Sequence, residues 1–209
     1  MSELQDVAKK KGWDERYSND EYIFGKEPND FLKSVAAQIP EGGKVLCLAD
    51  GEGRNGVYLA GLGYQVTSVD QSPVGLNKAN ALAEERGVSI ETVAADLTEW
   101  DLGTDCWHAV VSIFFHIPEA PRNQIYERVT NALKPDGLLI LESYTPNQLK
   151  FRTGGPPTSE LMMTKDIARS TFPALDFEFC EELERDVIEG TGHTGRAAII
   201  QVIARRPAN

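Results

Sequence analysis

Cysteine, histidine, methionine and tryptophan are all scarce in this chain of 209 residues, with three of each. An odd number of cysteines without metal-type spacing excludes a disulfide framework and a zinc motif, and fits a reduced, cytoplasmic protein. Basic residues are also short: 21 Lys and Arg face 32 Asp and Glu, a net charge of -11. That balance argues against non-specific binding to nucleic acid or to an anionic membrane, although it permits a local basic pocket. No apolar run approaches membrane-spanning length, and the opening "MSELQDVAKKKGW" lacks the apolar core of a signal peptide. Repeats, low-complexity tracts and composition shifts are missing as well, so a single domain over 1–209 is expected. What remains, 41% hydrophobic and 25% charged residues, is ordinary globular composition.

Within that composition, apolar runs alternate with helical patterns. Strands are expected at 44–49, 65–70, 89–96, 108–115 and 138–144. Helices are expected at 54–63, 72–87, 119–137 and 164–173. Ser72 as N-cap, Pro73 in the first turn and Gly87 as terminator mark the second of these helices. Near-continuous apolar strands separated by helices indicate a parallel sheet covered on both faces. The tail departs from that rhythm. Runs at 177–188 and 197–206, joined by the short "EGTGHTG", must pair antiparallel.

The turn "LADGEGRNG" (48–56) carries Gly51, Gly53 and Gly56 as G-x-G-x-x-G, a dinucleotide-type fingerprint. Glycine allows positive φ and close approach of a ligand, and the helix that follows favours negative charge. Asp50 and Glu52 beside the glycines work against a diphosphate. S-adenosylmethionine carries an ammonium, a sulfonium and a carboxylate but no phosphate, and suits an acidic turn better. Asp70 ends the second strand, where nucleotide folds place a carboxylate for ribose hydroxyls. Asp96 ends the third strand at the same edge, placed to accept a hydrogen bond from the adenine amino group.

These residues carry a resemblance. "VLCLADGEGRNGVYLAGLGYQVTSVDQSPVGLNKA" resembles the cofactor half of class I S-adenosylmethionine-dependent methyltransferases. "GRN" at 53–55 and "SVDQS" at 68–72 are most similar to the tellurite-resistance methyltransferase branch. The likeness extends over "WDERYSNDEYIFGKEPNDFL" (13–32), "FFHIP" (114–118), "LKPDGLLILESY" (133–144) and the terminal hairpin. It implies a Rossmann-like α/β fold, a seven-stranded, mostly parallel sheet ending in an antiparallel hairpin. Its parts would be an N-terminal lid with helices (1–40), a cofactor core (41–145), and an acceptor-cap loop, helix and hairpin (146–209). Two positions depart from the pattern: Cys47 stands where the family often has an acid, and Ala49 where it has a glycine.

The resemblance implies methyl transfer from S-adenosylmethionine to a small-molecule acceptor, a thiol or a chalcogen such as selenite or tellurite. Cofactor contacts would come from Ala49, Asp50, Gly51, Gly53 and Asn55 in the turn. Asp70, Gln71, Asp96, Leu97 and Phe114 would supply the rest, with Tyr17 and Phe24 as a lid whose ring faces attract the sulfonium; Trp13 would pack. His116, after the fourth strand, and His193, in the terminal turn, would line the acceptor mouth as catalytic candidates. His108, at the opposite edge, is expected to be structural. Lys150 and Arg152 lie in the loop expected to cap the acceptor pocket. Cys47, Cys106 and Cys180 are not expected to meet. A nicotinamide oxidoreductase and a non-catalytic cofactor-binding module remain as alternatives, and the oligomeric state is not readable.

Overall fold

The computed structural model describes residues 12–208, so the expected N-terminal lid is visible from residue 12 onward. Seven strands form one sheet: β1 (Lys44–Leu48), β2 (Gln65–Asp70), β3 (Glu91–Ala94), β4 (Trp107–Ile113), β5 (Leu133–Tyr144), β6 (Asp176–Glu189) and β7 (His193–Arg205). Their order is β3-β2-β1-β4-β5-β7-β6. The first five pair parallel, and β7 runs antiparallel between β5 and β6. The helices are α1 (described over 12–17), α2 (Asp30–Val35), α3 (Arg54–Gly61), α4 (Pro73–Glu85), α5 (Glu119–Ala132) and α6 (Lys165–Thr171). This is the Rossmann-like α/β fold expected.

Side chains alternate across the strands, so each face acquires its own core. Leu46 and Leu48 pack with Ile125, Tyr126 and Val129 of α5 on one face. Val45 and Cys47 pack with Phe31, Leu32 and Val35 of α2 on the other. Strand order reverses between β1 and β4, and at such a switch point the carboxyl ends of the strands leave a crevice for a ligand.

Several boundaries differ from expectation, each for a local reason. β4 stops at Ile113 because Phe114 turns into the left-handed region, φ 53°. β3 stops at Ala94, and Asp96 beyond it closes an Asx turn, its Oδ1 accepting from Thr98 N at 2.8 Å and Thr98 Oγ1 at 2.7 Å. α5 ends at Ala132 rather than 137, since Pro135 favours extended backbone before it and Lys134–Gly137 bulge out of β5. The terminal strands are longer than expected, and only 190–192 join them. His193 therefore opens β7 rather than lying in the turn.

Candidate active site

The glycine turn is built around internal carboxylates. Gly51 (φ 57°) and Gly53 (φ 83°) supply the left-handed positions, and Ala49 adopts one as well at φ 50°. A left-handed residue with a side chain costs about 1–2 kcal/mol, so the alanine fits the turn but strains it. Asp70 accepts from Gly51 N at 2.9 Å and from Ser72 N at 2.8 Å. Asp50 accepts from Ser68 Oγ at 2.6 Å and from Gly56 N at 3.3 Å. Glu52 reaches the other way, to Ile23 N at 2.8 Å and Lys78 Nζ at 2.5 Å. The acids flanking the glycines thus act as internal ties while also bordering the cavity above them.

Gly53 does not border the crevice at all. A Cβ there would stand 2.4 Å from Ala79 Cβ, so this glycine lets α3 approach α4. Gly51 sits under the lid: a Cβ there would stand 2.6 Å from the Tyr17 hydroxyl.

Burial pushes the Asp50 carboxyl up to about 7, against its hydrogen bonds from Ser68 and Gly56. The folded state then holds a proton between about pH 4 and 7 that the unfolded state has released, so this group's contribution to stability is lost as pH rises through that window. Asp50→Asn removes the slope. Urea melts should show the variant gaining about 1–3 kcal/mol on wild type between pH 5 and pH 8. Parallel curves for the two proteins would disprove it.

Above the turn lies a cavity of about 570 Å³, within the usual range for small-molecule sites. It is bordered by Ala49, Asp50, Gly51, Asn55, Asp70, Gln71, Asp96 and Leu97 along the strand ends. The side chain of Asn55 is already engaged, its Oδ1 accepting from Asn29 N at 2.9 Å. Tyr17 and Phe24 close one side of the cavity, and Trp13 joins them, stacked on Tyr17 at 5.3 Å between centroids. Trp13 therefore both packs and lines the cavity. The Arg16 guanidinium lies 4.7 Å from the Trp13 ring centroid, a cation not anticipated from the sequence.

The other end of the cavity is aromatic and apolar. Phe114 stacks on Tyr144 at 4.6 Å, and His116 and His193 flank that tyrosine at 5.5 Å and 5.4 Å. Two histidines from distant segments thus border one cavity. His116 Nδ1 lies 3.2 Å from the Leu161 carbonyl, which can only accept, so Nδ1 carries the proton and Nε2 holds the free lone pair. Nε2 is buried without a partner. Burial drives the ring's pKa down to about 3.

His193 Nδ1 faces Glu189 Oε2 at 3.6 Å, a long polar contact. Gly154, Gly155, Pro156 and Pro157 of the cap loop border this end of the cavity. Lys150 and Arg152 do not: both are exposed, and Lys150 bonds Asn147 Oδ1 at 2.8 Å. His108 sits at the far edge of the sheet, its Nδ1 accepting from Lys44 N at 2.9 Å.

Beneath the aromatic end runs a buried polar network with no signature in the sequence. Glu142 accepts from Asn29 Nδ2 at 2.7 Å, Arg185 Nη2 at 2.5 Å and Gln201 Nε2 at 2.6 Å. Glu189 accepts from the same Asn29 Nδ2 at 2.8 Å and from Arg54 Nη2 at 2.7 Å. Burial opposes ionisation of Glu189, but His193, Arg54 and Asn29 more than offset it and hold the carboxyl down at about 2. Tyr144 feels the opposite balance: burial and these two glutamates push its hydroxyl far up.

Residues 45–137 match the family model described as a methyltransferase domain. The matched segment spans β1 to the start of β5 and supplies the glycine turn, Asp70, Asp96, Phe114 and His116. The chain is similar to the uncharacterized methyltransferase YbaJ of Bacillus subtilis (strain 168), 30% identical over 153 residues, covering 70% of this chain and 54% of YbaJ. The chain spans about half the length of the curated relatives it matches.

Among solved structures, a protein from the conversion of a disulfide bond into a thioacetal group during echinomycin biosynthesis superimposes with a TM-score of 0.79 at 20% identity, over 96% of this chain and 93% of that one. TehB from Haemophilus influenzae gives 0.70 at 18%, over 95% and 67%. The N-methyltransferase NodS from Bradyrhizobium japonicum WM9, in complex with S-adenosyl-l-homocysteine, gives 0.70 at 13%, over 95% and 98%. At these identities the likeness is one of fold.

Proposed function

We propose that this chain transfers the methyl group of S-adenosylmethionine to a small acceptor, and that the accepting atom is a thiol or chalcogen. The observation that carries the cofactor is the state of the glycine turn. Two of its three glycine amides, Gly51 and Gly56, already donate to carboxylates, Asp70 and Asp50. A diphosphate needs such amides free and away from negative charge. A phosphate-free cofactor does not, which argues against a nicotinamide dinucleotide. In this reading Asp70 accepts from the ribose diol on its remaining lone pairs. Asp96 and Leu97 flank the adenine, and Tyr17 and Phe24 close over the sulfonium.

When bound, S-adenosylmethionine supplies a methyl group already activated by a sulfonium leaving group. The chain's own task is then to align the nucleophile and exclude water, a proximity effect worth roughly 7–11 kcal/mol at best. His116 Nε2 is an unpartnered lone pair set among Phe114, Tyr144 and His193. With its pKa near 3 it is too weak a base to deprotonate an ammonium product. It is strong enough to take the proton from a thiol whose sulfur has just been methylated, because that protonated sulfur is far more acidic. This preference supports sulfur and its heavier congeners over amines, and the fold likeness to TehB agrees with it. The acidic balance supports a small-molecule acceptor, not nucleic acid, and the free thiols support a cytoplasmic setting. Among the described residues no helix is long and apolar enough to cross a membrane.

Calorimetry with S-adenosylmethionine and with NADH tests the cofactor. Turnover to S-adenosylhomocysteine on thiols, selenite, tellurite and small amines tests the acceptor. Preferential binding of NADH, or turnover on amines alone, would refute the corresponding half. Asp70→Ala should weaken S-adenosylmethionine binding by about 1.5–3 kcal/mol, the range for hydrogen bonds to a charged group. The same variant should also lose stability, since it frees the buried amides of Gly51 and Ser72. An unchanged dissociation constant would remove Asp70 from the site.

A further inference from the structure

A second pocket, of about 430 Å³, lies behind the acceptor end and shares Pro118 and Leu161 with the main cavity. Its wall contains Arg122 of α5, 5% exposed. The other deeply buried arginine, Arg54, is paired with Glu189, and the half-buried Arg185 with Glu142. Arg122 is not paired. Its Nη1 makes one long hydrogen bond, 3.4 Å to the Met162 carbonyl, and its Nε is buried without a partner. No ion pair among the described residues includes it. A buried guanidinium without a counter-charge is costly.

The same pocket is bordered by the first turn of α5, whose cap residue Pro118 offers no side-chain hydrogen bond. An uncapped helix start favours an anion. Two independent features therefore converge on negative charge.

We propose that this pocket is an anion site that receives a carboxylate of the acceptor; the acceptor role, though not the anion site, rests on the methyl-transfer reading. Arg122 donates to the carboxylate, and the helix start adds its field. Glu119 and Glu160 stand exposed on the pocket wall and repel a polyanion more than a singly charged group. Leu161, which ends the single turn Ser159–Leu161, and Pro118 border both pockets and form the partition between them. The Leu161 carbonyl fixes His116 on one side of it, and the next carbonyl, of Met162, receives Arg122 on the other. A molecule spanning the partition would present its nucleophile to His116 and its carboxylate to Arg122.

Line broadening of ¹³C-acetate at constant ionic strength, with and without S-adenosylhomocysteine, tests the site directly. Saturable broadening is expected in wild type and should weaken on the order of 10–100-fold in Arg122→Met, the loss of hydrogen bonds to a charged group. Ser170→Trp, at an exposed position on α6 that borders the pocket, should block acetate by filling space, even if the Arg122 variant fails to fold. Equal broadening in wild type and Ser170→Trp would overturn the proposal, and so would tighter binding of inorganic phosphate than of acetate. The acceptor role is read separately, as KM for 3-mercaptopropionate against propanethiol. Wild type should favour the carboxylate, and Arg122→Met should lose that preference with kcat little changed. If S-adenosylhomocysteine failed to bind while acetate still did, the anion site would stand and the methyl-transfer reading would fall.

Discussion

Replacing His116 by glutamine is expected to lower turnover on a thiol about 100-fold, the lower end of the range for a proton acceptor in the transition state. S-adenosylmethionine affinity should change little, because the ring borders the acceptor end of the cavity. The pH dependence carries more information than the loss itself. An unperturbed histidine would impose an acid limb near pH 6.5. Burial has moved His116 to about 3, so that limb is expected to be missing, and activity on a neutral thiol should stay nearly level between pH 5 and 8.

The same shift affects stability with the opposite sign to that of Asp50. The unfolded chain binds a proton below about pH 6.5 that folded His116 refuses until about 3. Its contribution is therefore fully present above pH 6.5 and is lost as pH falls towards 3. An acid limb near pH 6.5 that disappears in His116→Gln would contradict both the burial argument and the chemistry built on it.

Glu142→Ala should destabilise the fold by about 3–5 kcal/mol, the cost of breaking a buried ion pair from one side. Glu142 is wholly buried, and its removal leaves Arg185, Gln201 and one hydrogen bond of Asn29 without their acceptor. Glu142→Gln should cost less, since the amide oxygen still accepts from one donor. Urea melts of the two variants decide the point. A loss below about 1 kcal/mol for the alanine would mean that water replaces the carboxylate and the network contributes little.

The strand positions, the parallel sheet and the terminal hairpin were legible because they follow from apolar runs, from the spacing of glycines and from one short turn. Asp70 was legible for a related reason, as the last residue of a readable strand, and His116 as the residue after the fourth strand; Phe114 followed from the family resemblance, and the expected strand ran past it. The network was not. Asn29, Glu142, Arg185 and Glu189 are ordinary polar residues in sequence, and only β7 inserting between β5 and β6 brings Glu142 opposite Gln201. Gly53 misled in a different way. A glycine needed for close helix packing carries the same letter as one that admits a ligand. Arg122 looked like any helical surface charge, because its burial depends on the 3-10 turn that folds over it from forty residues away.

The tip of the terminal hairpin is pressed against the lid. Gly192 N donates to Ile23 O at 2.9 Å, and a Cβ on Gly190 would stand 2.2 Å from that same oxygen. Phe24 and His193, whose rings lie 4.6 Å apart, thus come from opposite ends of the described chain. During synthesis, the lid emerges from the ribosome long before the strand that holds it. A nascent chain released only as far as β5 has its glycine turn, Asp70, Phe114, His116 and Tyr144 in sequence, yet lacks His193 and the hairpin tip that holds the lid. The cavity is walled in only once β7 has been made, so a chain ending at β5 cannot enclose a ligand between lid and sheet.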